Sequence, residues 1–166
     1  MLSVTQILDL AGFVDSTWFT DSACQRGTAL HRAAQYLVEG TLDRSSLDPS
    51  IVDRFERYER FTREMDLEYL AIEEEVTNPT LDYVGHLDCR LKINGREGIL
   101  DLKPSPAPWH PLQLAGYAGC FTRPMARWGL YLAGSNYKLV EYSERTDWRT
   151  FQAALTVAQW IRRNAA

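Results

Sequence analysis

The dipeptide Asn94-Gly95 constrains the fold of this chain more than any other feature of its sequence. Asn-Gly between two runs of alternating residues is a strong signal for a two-residue β-hairpin turn. It predicts strands over 83–93 and 96–103, with Ile93 facing Arg96. Most charged side chains then share one face of the hairpin, which supports this register. The opposite, apolar face comprises Leu87, Cys89, Leu91, Ile93, Leu100 and Leu102.

The same register brings two acidic side chains together. Asp88 is predicted to lie opposite Asp101, with Cβ atoms about 5 Å apart. Like charges in this position destabilise a sheet, whereas hard divalent cations bind carboxylate oxygens. Lys103 follows on the same face, where an ammonium group can orient water or stabilise charge on a phosphate. The three residues suggest a metal site, and a solvated face of assorted charges is the alternative.

Hydrophobic periodicity predicts helices on both sides of this β-rich middle, and therefore an α/β fold in one domain over residues 1–166. The predicted elements are a short helix capped by Ser3 or Thr5, a helix capped by Asp21 or Ser22 and ending at Gly40, a helix opening at 49–50, a strand over 70–76, the hairpin, a helix over 112–120, strands over 128–132 and 137–142, and an amphipathic helix over 147–163.

Composition limits the class of protein further. Hydrophobic residues make up 45% of the chain, enough for a core, and no apolar run approaches the ~20 residues of a membrane span. The N-terminus lacks the pattern of a signal peptide, so we expect a cytoplasmic protein. Three widely spaced cysteines favour buried thiols over disulfides or an iron–sulfur cluster. A net charge of −4 is atypical of a nonspecific nucleic-acid coat but allows a local basic groove.

Further residues fit a site near the hairpin, although each has an ordinary structural explanation. Gly85 precedes Asp88 by three residues, where a bulge or a close approach of backbone is natural. Gln113 and Tyr117 are four residues apart and share one face of their helix. His31 lies on a predicted helix, where a lone histidine more often packs or faces solvent than binds a metal.

Together these short motifs resemble those of the PD-(D/E)xK nuclease superfamily, in particular its RecB-like and phage-exonuclease branch. They follow one another in the family's order and extend over nearly the whole chain. The matching segments are RGTALH with G-x-x-x-H at Gly27 and His31, IEEEVTNPTLDYVGHLD with Glu73 and G-x-x-D at Gly85 and Asp88, ILDLKPS with D-x-K at Asp101 and Lys103, and QLAGY with Q-x-x-x-Y at Gln113 and Tyr117.

The resemblance implies a mixed β-sheet flanked by helices and a phosphodiester-hydrolysing site assisted by Mg²⁺ or Mn²⁺. Lys103 would position the attacking water, and Gln113 and Tyr117 would orient Lys103 or contact DNA phosphate. Pro104 departs from the small residue that usually follows D-x-K. The implied metal ligands are His31, Asp88, Asp101 and the backbone carbonyl of Leu102, with Glu73, or in competition Glu75, as an accessory acid.

DNA contacts would come from local basic groups, since the chain as a whole is acidic. Trp109 and His110, in the loop before the Gln113 helix, can stack on a base or wedge a duplex end, or else pack on the protein. Some of four candidate DNA-binding arginines are expected to line a groove that contacts phosphates: Arg26, Arg32, Arg123 and Arg127.

The expected activity is that of a DNA exonuclease of phage recombination or replication type. DNA is the expected partner, and a recombination or single-strand-binding protein is a further candidate. Three alternatives stay open: a structure-selective endonuclease, a catalytically silent module that binds DNA or protein, and a non-nuclease α/β protein with chance motifs. Polarity of digestion, strand preference and oligomeric state are also open.

Overall fold

Six strands form one mixed sheet in the computed structural model of the chain, which describes residues 1–14 and 20–165. The strands are β1 (Leu2–Ser3), β2 (Leu67–Asn78), β3 (Tyr83–Ile93), β4 (Arg96–Lys103), β5 (Ala126–Tyr131) and β6 (Lys138–Glu141). The helices are α1 (Val4–Leu10), α2 (Asp21–Glu39), α3 (Val52–Glu64), α4 (His110–Ala118) and α5 (Thr146–Asn164), with a 3-10 turn at Arg44–Ser46.

The strand order is β1-β3-β4-β5-β6, and β2 pairs with β3 as well. β1 runs parallel to β3 and β4 runs parallel to β5, whereas the other pairs are antiparallel. Helices cover both faces of the sheet, and the buried side chains accordingly form two clusters. One joins the sheet to α1, α4 and α5, and the other joins it to α2 and α3. The predicted mixed sheet flanked by helices is therefore confirmed.

The hairpin forms with the predicted bounds and turn. Asn94 and Gly95 have φ angles of 49° and 78°, as a tight turn with two left-handed residues requires. Pairing runs from Ile93–Arg96 to Cys89–Leu100 in the predicted register. Local turn chemistry thus sets this half of the hairpin.

Beyond Cys89 the prediction is wrong. The ladder between β3 and β4 ends there, so Asp88 and Asp101 do not form the expected cross-strand pair. The backbone N–H of Leu102 donates instead to Asp88 Oδ2, at 2.6 Å, while β4 continues beside β5. Leu87 also packs in the cluster with α1, α4 and α5, whereas Cys89 packs in the other. The apolar face therefore changes side at Asp88.

Helix termini follow the sequence in part. Ser3 caps α1 in a reciprocal capping box, and Gly40 ends α2 with a left-handed φ of 71°. Thr20 caps α2 instead of the predicted Asp21 or Ser22. Cys24 is exposed on this helix rather than buried, and all three cysteines are free thiols. Among the described residues, no helix combines the length and apolar character needed to cross a membrane.

Candidate metal-dependent active site

His31 lies in the middle of α2, and its side chain reaches the point where β3 and β4 separate. Its Nδ1 lies 3.4 Å from Asp88 Oδ1 and 3.7 Å from Glu73 Oε1. Its Nε2 lies 3.3 Å from the carbonyl oxygen of Leu102. His31, Glu73 and Asp88 each offer one donor atom, and the three atoms lie within 4.8 Å of one another. Four of the predicted metal-binding residues are thus brought together.

The two oxygens of Asp88 have different partners. Oδ2 accepts the Leu102 N–H at 2.6 Å, and Oδ1 faces His31. A carboxylate held by a backbone donor has one fixed orientation, which is what a ligand needs before an ion arrives. The separation of β3 from β4 therefore creates the site, because it frees the Leu102 N–H to hold Asp88.

Glu73 is the acid of β2 that joins His31 and Asp88, and its backbone conformation is unusual. It has a positive φ of 50° within β2, a conformation rarely adopted by residues other than glycine. Glu75, the competing candidate, bonds His86 Nε2 at 2.9 Å. The structure thus places Glu73, rather than Glu75, beside His31.

Asp101 and Lys103 form a second, more enclosed pair. Lys103 Nζ lies 2.8 Å from Asp101 Oδ2, and Asp101 is only 2% exposed. Burial raises the pKa of Asp101, while Lys103 acts to lower it. Burial alone would lower the pKa of Lys103, but Asp101 and Asp88 outweigh it and raise that pKa. Asp101 lies outside the three-residue group, although it is close enough to feel the charge of Asp88.

The donor set fits a hard divalent cation. The two carboxylates and one imidazole of this group match the preference of Mg²⁺ and Mn²⁺ for oxygen with an occasional nitrogen, and the Leu102 carbonyl lies at the other nitrogen of the same ring. Octahedral ligands about 2.1 Å from an ion lie roughly 3 Å apart, close to the observed spacing around His31. The chemistry of these residues is therefore compatible with the expected metal.

Tyr117 packs against Gly85, which links two of the predicted motifs. A Cβ at position 85 would lie 2.7 Å from Tyr117 Cδ1, so only glycine leaves room for the ring. The expected close approach at Gly85 is confirmed, with an aromatic ring as the approaching group. Burial raises the pKa of Tyr117 well above its usual value, and Asp101 and Asp88 add to the rise. The buried phenol of Tyr117 is thus close enough to Asp88 and Asp101 to be affected by their charge.

Gln113, one helical turn before Tyr117, is 4% exposed. Its Nε2 donates to Thr5 Oγ1 at 3.3 Å, and its buried Oε1 has no partner within the described residues. Thr5 and Gln113 act to lower the pKa of the Tyr117 phenol, but burial outweighs them. Sequence reasoning missed Thr5 as a site residue and considered it only as a helix cap, a role that Ser3 takes.

Trp109 and His110 are neighbours in sequence but differ in burial. His110 is buried, which agrees with the alternative that it packs on the protein. Its Nδ1 accepts the Ala107 N–H at 3.1 Å and lies 3.1 Å from the Tyr131 hydroxyl. Burial, with the charge of Lys103, lowers its pKa to about 4, so the ring is neutral near pH 7. Trp109 is half-buried, and its ring lies 5.9 Å from Lys103 Nζ.

The four predicted DNA-binding arginines do not form one groove. Arg26 and Arg32 lie on α2, half-buried and exposed respectively, near His31. Arg123 bonds Glu97, with Nε 3.1 Å from Oε2. Arg127 is mostly buried and lies 2.9 Å from Asp147, so it fastens α5 rather than facing solvent. Arg123 and Arg127 line a cleft of about 870 Å³ that includes Glu97, near the start of β4, whereas Lys103 ends that strand.

Comparisons with known proteins give structural similarity only. No family model matches the chain, and no curated protein matches it. Among solved structures it is similar to LHK-Exo in complex with dAMP, with TM-score 0.48 and 14% identity. It is also similar to the alkaline exonuclease LHK-Exo from Laribacter hongkongensis, with TM-score 0.46 and 13% identity. Each comparison covers 99% of this chain and 92% of the other. These likenesses assign no role to any residue here.

Proposed function

We propose that this chain is a divalent-metal-dependent DNA nuclease of the PD-(D/E)xK type. The observation that carries the proposal is the convergence of His31, Glu73 and Asp88 at the place where the β3–β4 ladder opens. These residues come from three different elements, α2, β2 and β3, and a surface charge cluster would not require the backbone of Leu102 to orient one member. The order of motifs in the sequence, which resembles this superfamily, supports the same assignment.

The proposed ligands of the cation are His31, Asp88, Glu73 and the carbonyl of Leu102. A bound Mg²⁺ or Mn²⁺ would neutralise charge on a phosphate and make water more acidic. Asp101 Oδ2 is engaged by Lys103, which leaves Oδ1 as the atom proposed to reach the cation. Asp101 thus has two roles in the proposal, as a ligand and as the anchor of Lys103.

Lys103 supplies a fixed positive group beside the acids. Its ammonium lies 2.8 Å from Asp101 Oδ2 and 5.9 Å from the centroid of the Trp109 ring, so two neighbours set its position. From there it would orient the attacking water or donate to a phosphate oxygen as charge develops. Gln113 and Tyr117, on α4, would support Lys103 or contact the DNA backbone.

DNA would approach along α2, since Arg26 and Arg32 flank His31 there. Contacts of arginine with phosphate bind without reading sequence and weaken as salt rises. We favour an exonuclease of phage recombination type acting on DNA in the cytoplasm, on the resemblance of the motifs alone. A recombination or single-strand-binding protein would be its partner in that setting.

The test is digestion of linear and closed-circular DNA of one sequence with Mg²⁺ or Mn²⁺. Wild type is compared with Asp88→Asn and Lys103→Ala, and Lys92→Ala is the control. Lys92 lies on the same hairpin but pairs with Glu68, at 2.9 Å. Loss of linear DNA alone, in wild type and Lys92→Ala only, supports an exonuclease. Cutting of the circle identifies an endonuclease at the same site. An inert wild type contradicts the proposed function.

A further inference from the structure

Thr5 connects the N-terminal helix to Gln113 of α4. Its Oγ1 accepts a hydrogen bond from Gln113 Nε2 at 3.3 Å. The contact joins residues 108 positions apart, so it is a product of the fold and not of local helix structure. It places an exposed hydroxyl of α1 next to a side chain that is almost wholly buried.

The fold itself has little need of the Thr5 hydroxyl. Ser3 already caps α1, with its side chain accepting the Gln6 N–H at 3.2 Å. The apolar contacts of α1 come from Val4, Ile7 and Leu8. Thr5 is exposed, and a β-branched residue slightly disfavours a helix. Its hydroxyl is therefore better explained by its partner on α4.

The position of α1 is set independently by the sheet. β1 pairs in parallel with β3, Leu2 with Tyr83 and Ser3 with Val84. Gly85 and Asp88 follow on that same strand, and Tyr117 packs on Gly85. The N-terminal segment is thus registered against the strand that carries Asp88, which gives Thr5 a defined place relative to the acids.

Gln113 is the residue on which this contact acts. An amide has two donors and one acceptor group, and it can rotate unless something fixes it. Thr5 engages the nitrogen, which leaves the buried Oε1 without a partner in the described residues. An unpaired buried acceptor is costly, so its orientation must be imposed by the neighbours. Thr5 is the side chain that imposes it.

We propose that Thr5 is a positioning residue of the nuclease site, acting through Gln113. By accepting the amide N–H, it presents Gln113 Oε1 as a fixed acceptor. A substrate or water donor that meets Gln113 then encounters a single amide orientation. This inference rests on the proposed function, because it assigns Thr5 to that same site.

The test compares Thr5→Val, which keeps the shape and removes the hydroxyl, with Thr5→Ser, which retains it. Thr156→Val is the control, since Thr156 is an exposed helical threonine whose hydroxyl bonds only its own helix, at Gln152 O. Steady-state DNA cleavage gives kcat and KM, thermal melting gives Tm, and ¹⁵N spectra report the Gln113 side-chain amide. We expect Thr5→Val to lower kcat about tenfold, as loss of one hydrogen bond would, with KM and Tm nearly unchanged.

The Gln113 amide signal should shift in Thr5→Val and remain near its wild-type position in Thr5→Ser, which should also restore kcat. Wild-type kcat in Thr5→Val, an unshifted Gln113 signal, or a failure of serine to restore activity would overturn the role of Thr5 alone. A fall in Tm that accounts for the lost activity would overturn it too, because the residue would then be structural. An inert wild type would overturn the proposed function and this role together.

Discussion

The backbone N–H of Leu102 donates to Asp88 Oδ2 at 2.6 Å, and this contact organises the candidate site. In an uninterrupted hairpin that N–H would face the opposite strand or a neighbouring one. Here the β3–β4 ladder has already ended at Cys89, so a side chain takes the donor. Asp88 Oδ1 is thereby turned toward His31, whose other nitrogen lies 3.3 Å from the Leu102 carbonyl. The backbone of Leu102 thus contacts both Asp88 and His31.

Glu73 and Glu75 make a matched pair of acids on one strand. Glu73→Gln should weaken Mn²⁺ binding about tenfold, because it removes a charged ligand beside His31. Glu75→Gln should leave the affinity unchanged, since Glu75 bonds His86 instead. The increase in Tm with added Mn²⁺ measures this for both variants. Equal losses in the two would show that general negative charge, rather than a defined ligand, attracts the ion.

Gly85→Ala should destabilise the protein by about 1–3 kcal/mol, as overpacking of a tight contact does. The new methyl group would meet the Tyr117 ring, at 2.7 Å from Cδ1. Since the ring must move, DNA cleavage should fall more than stability accounts for. Chemical denaturation and cleavage assays on folded protein separate the two effects. An alanine that leaves both unchanged would show that Tyr117 is not fixed by Gly85.

Gly27→Ala should have the opposite effect on stability. A Cβ at position 27 meets nothing within 4 Å in the described part of the chain, and the residue lies inside α2. Alanine in a helix interior is favoured over glycine by about 1 kcal/mol, so the free energy of unfolding should rise by that amount. Chemical denaturation measures it. A decrease would mean that position 27 is crowded in the folded protein.

Glu97 should contribute to the loss of stability in acid. A hydrogen bond from Arg123 lowers the pKa of Glu97 below its ordinary value of 4.5, and Arg90 lowers it further. A carboxyl group whose pKa is lower when folded stabilises the protein above the ordinary pKa, and this contribution is lost as pH falls through the lowered one. Between pH 7 and 3, Tm should therefore fall less in Glu97→Gln than in wild type. Exposed Glu56→Gln is the control, and parallel curves for wild type and Glu97→Gln would rule out this contribution.

Arg32 should contact DNA phosphate and Arg123 should not. Replacing Arg32 with Gln should reduce the slope of log affinity against log salt by about 0.9, the value for one lost phosphate contact. Arg123→Gln should leave the slope unchanged, because Arg123 pairs with Glu97 in the distant cleft. Binding of a labelled duplex over a range of salt concentrations, with Ca²⁺ in place of Mg²⁺, gives these slopes. The reverse pattern would place the DNA path over the cleft.

Local chemistry made much of the fold predictable. Asn94-Gly95 specifies its own turn, so the bounds and the inner register of the hairpin follow from sequence. Gly40 and the amphipathic pattern of α5 act in the same local way. The helix predicted over 112–120 begins and ends two residues earlier, as His110–Ala118, and Pro111 lies in its first turn.

The site was predictable by residue type but not by arrangement. The split at Asp88 depends on β4 pairing with β5, which lies more than twenty residues away. The choice of Glu73 depends on a positive φ that its own sequence does not favour. Arg127 of β5 is held by Asp147 of α5, and Thr5 of α1 meets Gln113 of α4, only because separate elements pack together in the fold. Contacts of this kind arise from tertiary structure, and no spacing in the sequence indicates them.

Calorimetric titration of Mn²⁺ into the protein measures whether His31, Glu73 and Asp88 share one cation. Wild type and Glu75→Gln should bind at this site with the same affinity, whereas Asp88→Asn should lose that binding while remaining folded by circular dichroism. Binding that survives in both Asp88→Asn and a His31→Ala variant, or no binding by wild type, would contradict the claim that these residues form a metal centre.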